Sequence, residues 1–207
     1  DVDAVIETPF DPQAALKVVA RLLAIPAEPL LEKFTKILNA RLFEPEELKI
    51  IKHQEAPERL IHVNAGSELI LRQLFGRLGQ RVHLLTPTYV LFPEIAESYT
   101  ETRLLPQENF SFDLAKLIVP PETTLMVIVN PNNPNGGTFD MRPLPDLLAR
   151  YPRTHFLVDE AFVGMAGQSV ASWVRRYRNL LVTRTLSKAH SLAGFRVGYA
   201  ILPEPLA

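Results

Sequence analysis

From residue 60 onward, short apolar runs alternate with segments whose apolar residues recur three and four positions apart. The runs predict strands at 60–63, 81–86, 102–105, 125–130, 155–159, 180–184 and 197–202. The longer periodicity predicts helices at 67–78, 89–99, 113–118, 143–150 and 171–177. In the first of these, Ile70, Leu71, Leu74, Phe75 and Leu78 share one face. Leu125–Val129 is apolar throughout, as a strand buried on both sides would be. Such alternation argues for an α/β fold, a three-layer sandwich with helices covering a mostly parallel sheet. Residues 11–55 differ: they are rich in Leu, Lys and Glu and carry little β signal. Amphipathic helices are expected at Pro12–Ala24 and Pro29–Leu42, and a third begins at Pro45 with acids after it. The division is therefore an N-terminal helical segment, 1–58, with no assigned role, and a main domain, 59–207.

Composition narrows the function classes. The 207 residues carry a net charge of −1, which gives no electrostatic reason to expect nucleic acid or an anionic membrane. Arg175, Arg176 and Arg178 beside Tyr177 read as a solvated helix end. No apolar run approaches the roughly 18 residues of a membrane span, and no signal peptide opens the chain. The absence of cysteine removes disulfide and thiol chemistry and agrees with a cytoplasmic location. The five histidines, at 53, 62, 83, 155 and 190, are scattered without metal-ligand spacing, so no metal is expected. Those at 62, 83 and 155 lie in apolar strands and are expected in the core. No Walker loop is present, and no Gly-x-Gly-x-x-Gly follows a strand.

Four segments carry candidate chemistry, each after a predicted strand. Thr185-Leu-Ser-Lys188, with Arg196 eight residues on, gathers an amine, two hydroxyls and a guanidinium. A lysine can form a Schiff base with an aldehyde, and an arginine can grip a phosphate through two N–H donors. Asn130-Pro-Asn-Asn-Pro-Asn-Gly-Gly137 forms a turn that can hold an asparagine amide rigidly towards an anionic oxygen. Asp159, in Val158-Asp-Glu-Ala161, ends a strand where open α/β sheets bind ligands. It could equally cap the next turn, and Glu160 reads as structural or solvated. Asn64-Ala-Gly-Ser-Glu68 leads into the first helix, with Ser67 as N-cap and the N–H groups of Gly66, Ser67 and Glu68 as an anion site.

Taken in this order, these segments resemble the fold-type I pyridoxal phosphate (PLP) enzymes of aminotransferase class I/II, and within them the histidinol-phosphate aminotransferases. The resemblance covers roughly residues 59–207. It implies that this part is the PLP-binding large domain, that PLP is the cofactor, and that Lys188 is the Schiff-base lysine and proton shuttle. It implies Asp159 as partner of the pyridinium nitrogen and Asn133 as donor to the phenolate oxygen. Tyr89 would stack on the ring, although packing after a Pro turn would explain it too. Gly66, Ser67, Glu68, Thr185, Ser187 and Arg196 would hold the phosphate. The implied activity is ping-pong transfer of an amino group between an amino acid and a 2-oxo acid or phosphorylated ketone, in a homodimer.

Two departures from the family pattern open alternatives. Phe162 stands where the family usually has Tyr, so one hydrogen-bond donor to the phenolate oxygen is missing. In this it is similar to the threonine-phosphate decarboxylases of cobalamin synthesis. The family also continues into a small C-terminal domain that carries the arginine for the substrate carboxylate. The sequence ends at Ala207 and begins at Asp1, which reads as a fragment or a sequence given in part. A third alternative is the PLP-sensing domain of a transcription regulator, but residues 1–58 show no basic surplus or recognition helix.

Overall fold

The computed structural model describes residues 61–104, 112–189, 191, 193–204 and 206. The expected segment 1–58 and its three helices lie outside the described residues. Seven strands form one sheet: β1 (Ile61–Ala65), β2 (Val82–Thr86), β3 (Tyr99–Arg103), β4 (Leu125–Val129), β5 (His155–Asp159), β6 (Leu180–Thr185) and β7 (Val197–Ile201). Their order is β1-β7-β6-β5-β4-β2-β3. Strand β7 runs antiparallel to both β1 and β6, and every other pair is parallel. Six strands therefore point the same way, and their C-terminal ends share one edge of the sheet.

Side-chain alternation along the strands builds a core on each face. Leu125, Val127 and Val129 of β4, Leu157 of β5, Leu181 of β6 and Ala200 of β7 face one side. There they meet α1 (Ser67–Leu78) and α2 (Leu91–Ile95). Met126, Ile128, Phe156, Val158, Leu180 and Val182 face the other side and meet α3 (Leu144–Arg150). Short 3₁₀ turns at Leu114–Lys116 and Ala171–Arg175 complete that layer. The result is the expected three-layer sandwich. The apolar face expected on the first helix is the one that α1 buries: Ile70, Leu71, Leu74, Phe75 and Leu78. Each such side chain contributes about 1.5–3 kcal/mol, which fixes the N-terminus of α1 over the sheet.

Three expectations are corrected. Strand β3 begins at Tyr99, three residues before the expected start, and the helix expected over 89–99 ends at Ile95. Ala96 is already extended, with φ −81° and ψ 125°. Strand β3 is an edge strand whose residues are mostly exposed, so no apolar alternation marks it in the sequence. The segments expected as helices at 113–118 and 171–177 close only as 3₁₀ turns. Finally, His62 is exposed and bonds to Gln73 Oε1 at 3.3 Å, because β1 is the other sheet edge. His83 is buried, and its Nε2 pairs with the Thr102 hydroxyl at 2.8 Å.

Candidate functional site

The C-terminal ends of the parallel strands surround one cleft. Strand β1 leaves through a tight turn in which the Gly66 N–H donates to the Asn64 carbonyl at 2.8 Å. Gly66 has φ 86°, a conformation that side chains other than glycine's disfavour. It occupies the N-cap of α1 with no side-chain cap, and Ser67 is already the first helical residue. The expectation of Ser67 as N-cap is thus wrong, because glycine's backbone makes the turn without a capping hydroxyl. The first-turn N–H groups of a twelve-residue helix then face the cleft without a side-chain cap, and the helix dipole favours an anion there. Gly198 of β7 allows the close approach, since a Cβ at that position would collide with Ser67 N.

Arg196 covers this corner. A Cβ on Gly66 would lie 3.0 Å from Arg196 Nη2, so the guanidinium sits directly over the turn. Arg196 reaches it from a left-handed backbone, φ 50°, which is uncommon outside glycine. Strand β6 supplies the next wall. The Ser187 N–H donates to Thr185 Oγ1 at 3.1 Å, and the Thr185 hydroxyl donates to the Val197 carbonyl at 3.3 Å. Thr185 therefore braces the turn that presents Ser187 and Lys188. Lys188 is exposed, and its Nζ lies 5.4 Å from the centroid of the Phe162 ring.

Asp159 ends β5, Glu160 follows it, and the two face opposite sides of the sheet. Asp159 is 4% exposed and lines the cleft, and its Oδ1 accepts from the Thr183 hydroxyl at 2.9 Å. Burial pushes its carboxyl up to about 6. The Thr183 hydroxyl opposes that shift, the Glu160 charge adds to it, and the Ala161 N–H opposes it. No cation stands among these contacts. Glu160 is buried on the other side, with Arg184 Nη2 2.8 Å from Oε2, the Ser169 hydroxyl at 2.9 Å and the Val170 N–H on Oε1 at 2.6 Å. Burial raises its carboxyl too, but Arg184 and these donors pull the other way.

Every residue proposed from the sequence lines this cleft: Gly66, Ser67, Glu68, Tyr89, Asn133, Asp159, Phe162, Thr185, Ser187, Lys188 and Arg196. Leu71 and Ala161 complete it, and neither carries a polar side chain that sequence reasoning could have singled out. Tyr89 is half-buried and meets Phe92 edge-on, with centroids 5.8 Å apart. The neighbouring asparagines divide their work. Asn132 is buried and donates to the Pro87 carbonyl and to Asn135 Oδ1, which ties the loop together. Asn133 is half-buried at the cleft. Glu68 pairs with Arg72 at 3.0 Å, so its backbone N–H rather than its carboxylate suits an anion. Thr183, which sequence reasoning did not single out, stands behind Asp159.

This donor set fits a small molecule that is anionic at one end and cationic at the other. An uncapped helix start and a guanidinium form one pole. The other pole is a buried carboxylate with no cation beside it among the described residues, which burial alone would otherwise drive toward its neutral form. PLP has that shape of charge, with a phosphate and a pyridinium at opposite ends and an aldehyde between them. Among the described residues, no group of His, Asp and Glu is close enough to hold a metal, and no helix is long and apolar enough to cross a membrane.

The sequence profile of aminotransferase class I and II matches residues 30–207. Histidinol-phosphate aminotransferase 1 of Carboxydothermus hydrogenoformans is 36% identical over 154 residues, which is 70% of this chain and 43% of that protein. The chain spans about half the length of the curated relatives it matches. Among solved structures, a putative histidinol-phosphate aminotransferase from Erwinia carotovora atroseptica shares the fold with a TM-score of 0.67 at 22% identity. That match covers 97% of this chain and 60% of the other. L-threonine-O-3-phosphate decarboxylase from Porphyromonas gingivalis shares it with a TM-score of 0.62 at 16% identity, over 99% and 54% of the two chains.

Proposed function

Because the chain belongs to the class I and II aminotransferases, we propose that its cleft binds PLP and serves amino transfer between an amino acid and a 2-oxo acid or phosphorylated ketone. Residues 59–207 are then the PLP-binding large domain, and a histidinol-phosphate-like amine, exchanged with its phosphorylated ketone, is the finer reading, supported by the sequence relatives. The observation that carries the proposal is Asp159, a buried carboxylate facing the same cleft as a lysine amine and an anion cradle.

Bound PLP would supply an electron sink and would carry the amino group from one substrate to the next. The chain's own residues do the rest. The start of α1, Ser67, Ser187 and Arg196 hold the phosphate. Asp159 presents its negative charge to the ring nitrogen and favours the protonated ring. Asn133 orients the ring from its edge, and Tyr89 covers its face. Lys188 would hold the aldehyde end through its amine, with loss of water, and the same amine when freed would take up at Nζ a proton from the substrate α-carbon and give it back. Leu71, Phe162 and Ala161 keep the floor apolar, which strengthens every charge interaction above it. The same reading makes the complete protein a cytoplasmic homodimer that acts on small molecules.

Reduction with borohydride tests it. The full-length protein incubated with PLP should carry the reduced pyridoxyl group on Lys188 and on no other lysine. A peptide map placing that group elsewhere would overturn the site assignment. Phe162 favours a second reading, decarboxylation of a phosphorylated amino acid on the same cofactor. Release of CO₂ from such a substrate, without transfer of its amine to a 2-oxo acid, would select it.

A further inference from the structure

We propose that Thr183 is a positioning residue that holds Asp159 charged and correctly oriented for the cofactor ring; this rests on the PLP reading above. Three observations carry it. The parallel register of β5 and β6 places Thr183 directly opposite Asp159. Thr183 is fully buried at 0% exposure, and its hydroxyl donates to Asp159 Oδ1 at 2.9 Å. One residue further along both strands, the same register brings Arg184 to Glu160, and there the partner is a full cation.

The difference between the two partners decides what each acid can do. A guanidinium at position 183 would neutralise Asp159 as Arg184 neutralises Glu160, and no charge would remain for a ligand. An apolar side chain would leave a buried carboxylate with a single N–H donor, from Ala161. Burial would then favour its protonated form, which cannot pair with a pyridinium. A hydroxyl avoids both outcomes. It stabilises the charged form by a hydrogen bond, pins one oxygen and cancels no charge. Thr183 does not line the cleft and acts only through Asp159.

The test compares Thr183→Val, which keeps the shape and removes the donor, with Thr183→Ser, which keeps the donor. The readout is the titration of the Asp159 carboxyl by carbon NMR in full-length protein freed of PLP, assigned with Asp159→Asn. The Val variant should bind the Asp159 proton roughly tenfold more tightly, the strength expected of one hydrogen bond to a charged group. The Ser variant should titrate like the parent. In the PLP-loaded enzyme, amino transfer should fall about tenfold with Val and return with Ser. A Val variant that titrates like the parent, or a Ser variant that titrates like Val, overturns the role. Should Val prevent folding, Thr183→Ala against Thr183→Ser gives the same comparison. Failure of the PLP reading would show separately, as a parent protein that takes up no PLP at Lys188 while the carboxyl titration still responds to position 183.

Discussion

Asp159 and Glu160 are adjacent in sequence, nearly equal in burial, and opposite in what surrounds them. Strand alternation sends Asp159 to the α1 side and Glu160 to the α3 side. Glu160 meets Arg184, Ser169 and the Val170 N–H, so both of its oxygens are used and its charge is matched. Asp159 meets a hydroxyl and an amide, and no cation among the described residues matches its charge. The contrast separates structure from function better than burial or residue type does. A buried charge with a complete set of partners holds the fold together, whereas one that lacks a counter-ion awaits a ligand that brings it.

Arg184→Met should break the structural half of this comparison and give the largest effect. It leaves Glu160 buried without its cation, a loss of about 3–5 kcal/mol that denaturant unfolding would measure. Asp159→Asn should do the reverse. Amino transfer should fall by about two to three orders of magnitude, typical of losing a preorganised charge that faces developing charge. Unfolding of the cofactor-free protein should be unaffected or shifted to higher denaturant, because an unmatched buried charge has gone. Equal destabilisation by the two variants would mean that Asp159 is a structural acid like its neighbour.

Acidity sharpens the same point. The Asp159 carboxyl lies above its ordinary value in the fold, raised from 3.8 to about 6 by burial. A raised folded-state value favours the folded state fully below about pH 4, and that contribution disappears as pH rises through 6. By neutral pH the difference amounts to about 3 kcal/mol, at about 1.4 kcal/mol for each tenfold change in proton affinity. Cofactor-free parent protein should therefore lose stability relative to Asp159→Asn between pH 4 and 6. Bound PLP, bringing a cation to the carboxylate, should diminish that loss. Parallel stability curves for parent and variant would show that Asp159 does not titrate in this range.

The parts that were legible in the sequence are those where one force dominates. The buried face of α1 follows from apolar spacing alone, and β4, β5 and β6 from unbroken apolar runs. Strand β3 was expected three residues late because an exposed edge strand such as Tyr99-Thr-Glu-Thr-Arg103 buries too little to show a pattern. Ser67 was misassigned because a backbone angle at Gly66, invisible in a residue string, decides the cap. The cleft was found by motif resemblance, which fixes which residues meet and is silent on what supports them. Thr183 was missed for that reason. A hydroxyl in the apolar strand Leu180-Leu-Val-Thr183 was the available signal, and only the register of β5 against β6 says which acid it faces.

The smallest expected effect concerns the other acid that lines the cleft. Glu68 pairs with Arg72 one helical turn away, but both side chains are about half exposed, at 49% and 51%. Solvent screens such a pair, so Arg72→Ala should cost only about 0.3–0.5 kcal/mol of stability, a tenth of the Arg184 effect. Its clearer consequence is electrostatic. Glu68 sits in the first turn of α1, where the cleft is built to attract an anion, and Arg72 offsets its charge there. Without Arg72 the carboxylate opposes the incoming phosphate, and PLP affinity should fall about two- to threefold in dilute buffer. The interaction crosses solvent, so salt near 1 M, with a screening length of about 3 Å, should erase the difference between variant and parent. A deficit that persists at high salt would mean that Arg72 shapes the helix start rather than its field, and the cleft would then resemble the Glu160 side, where geometry outweighs charge.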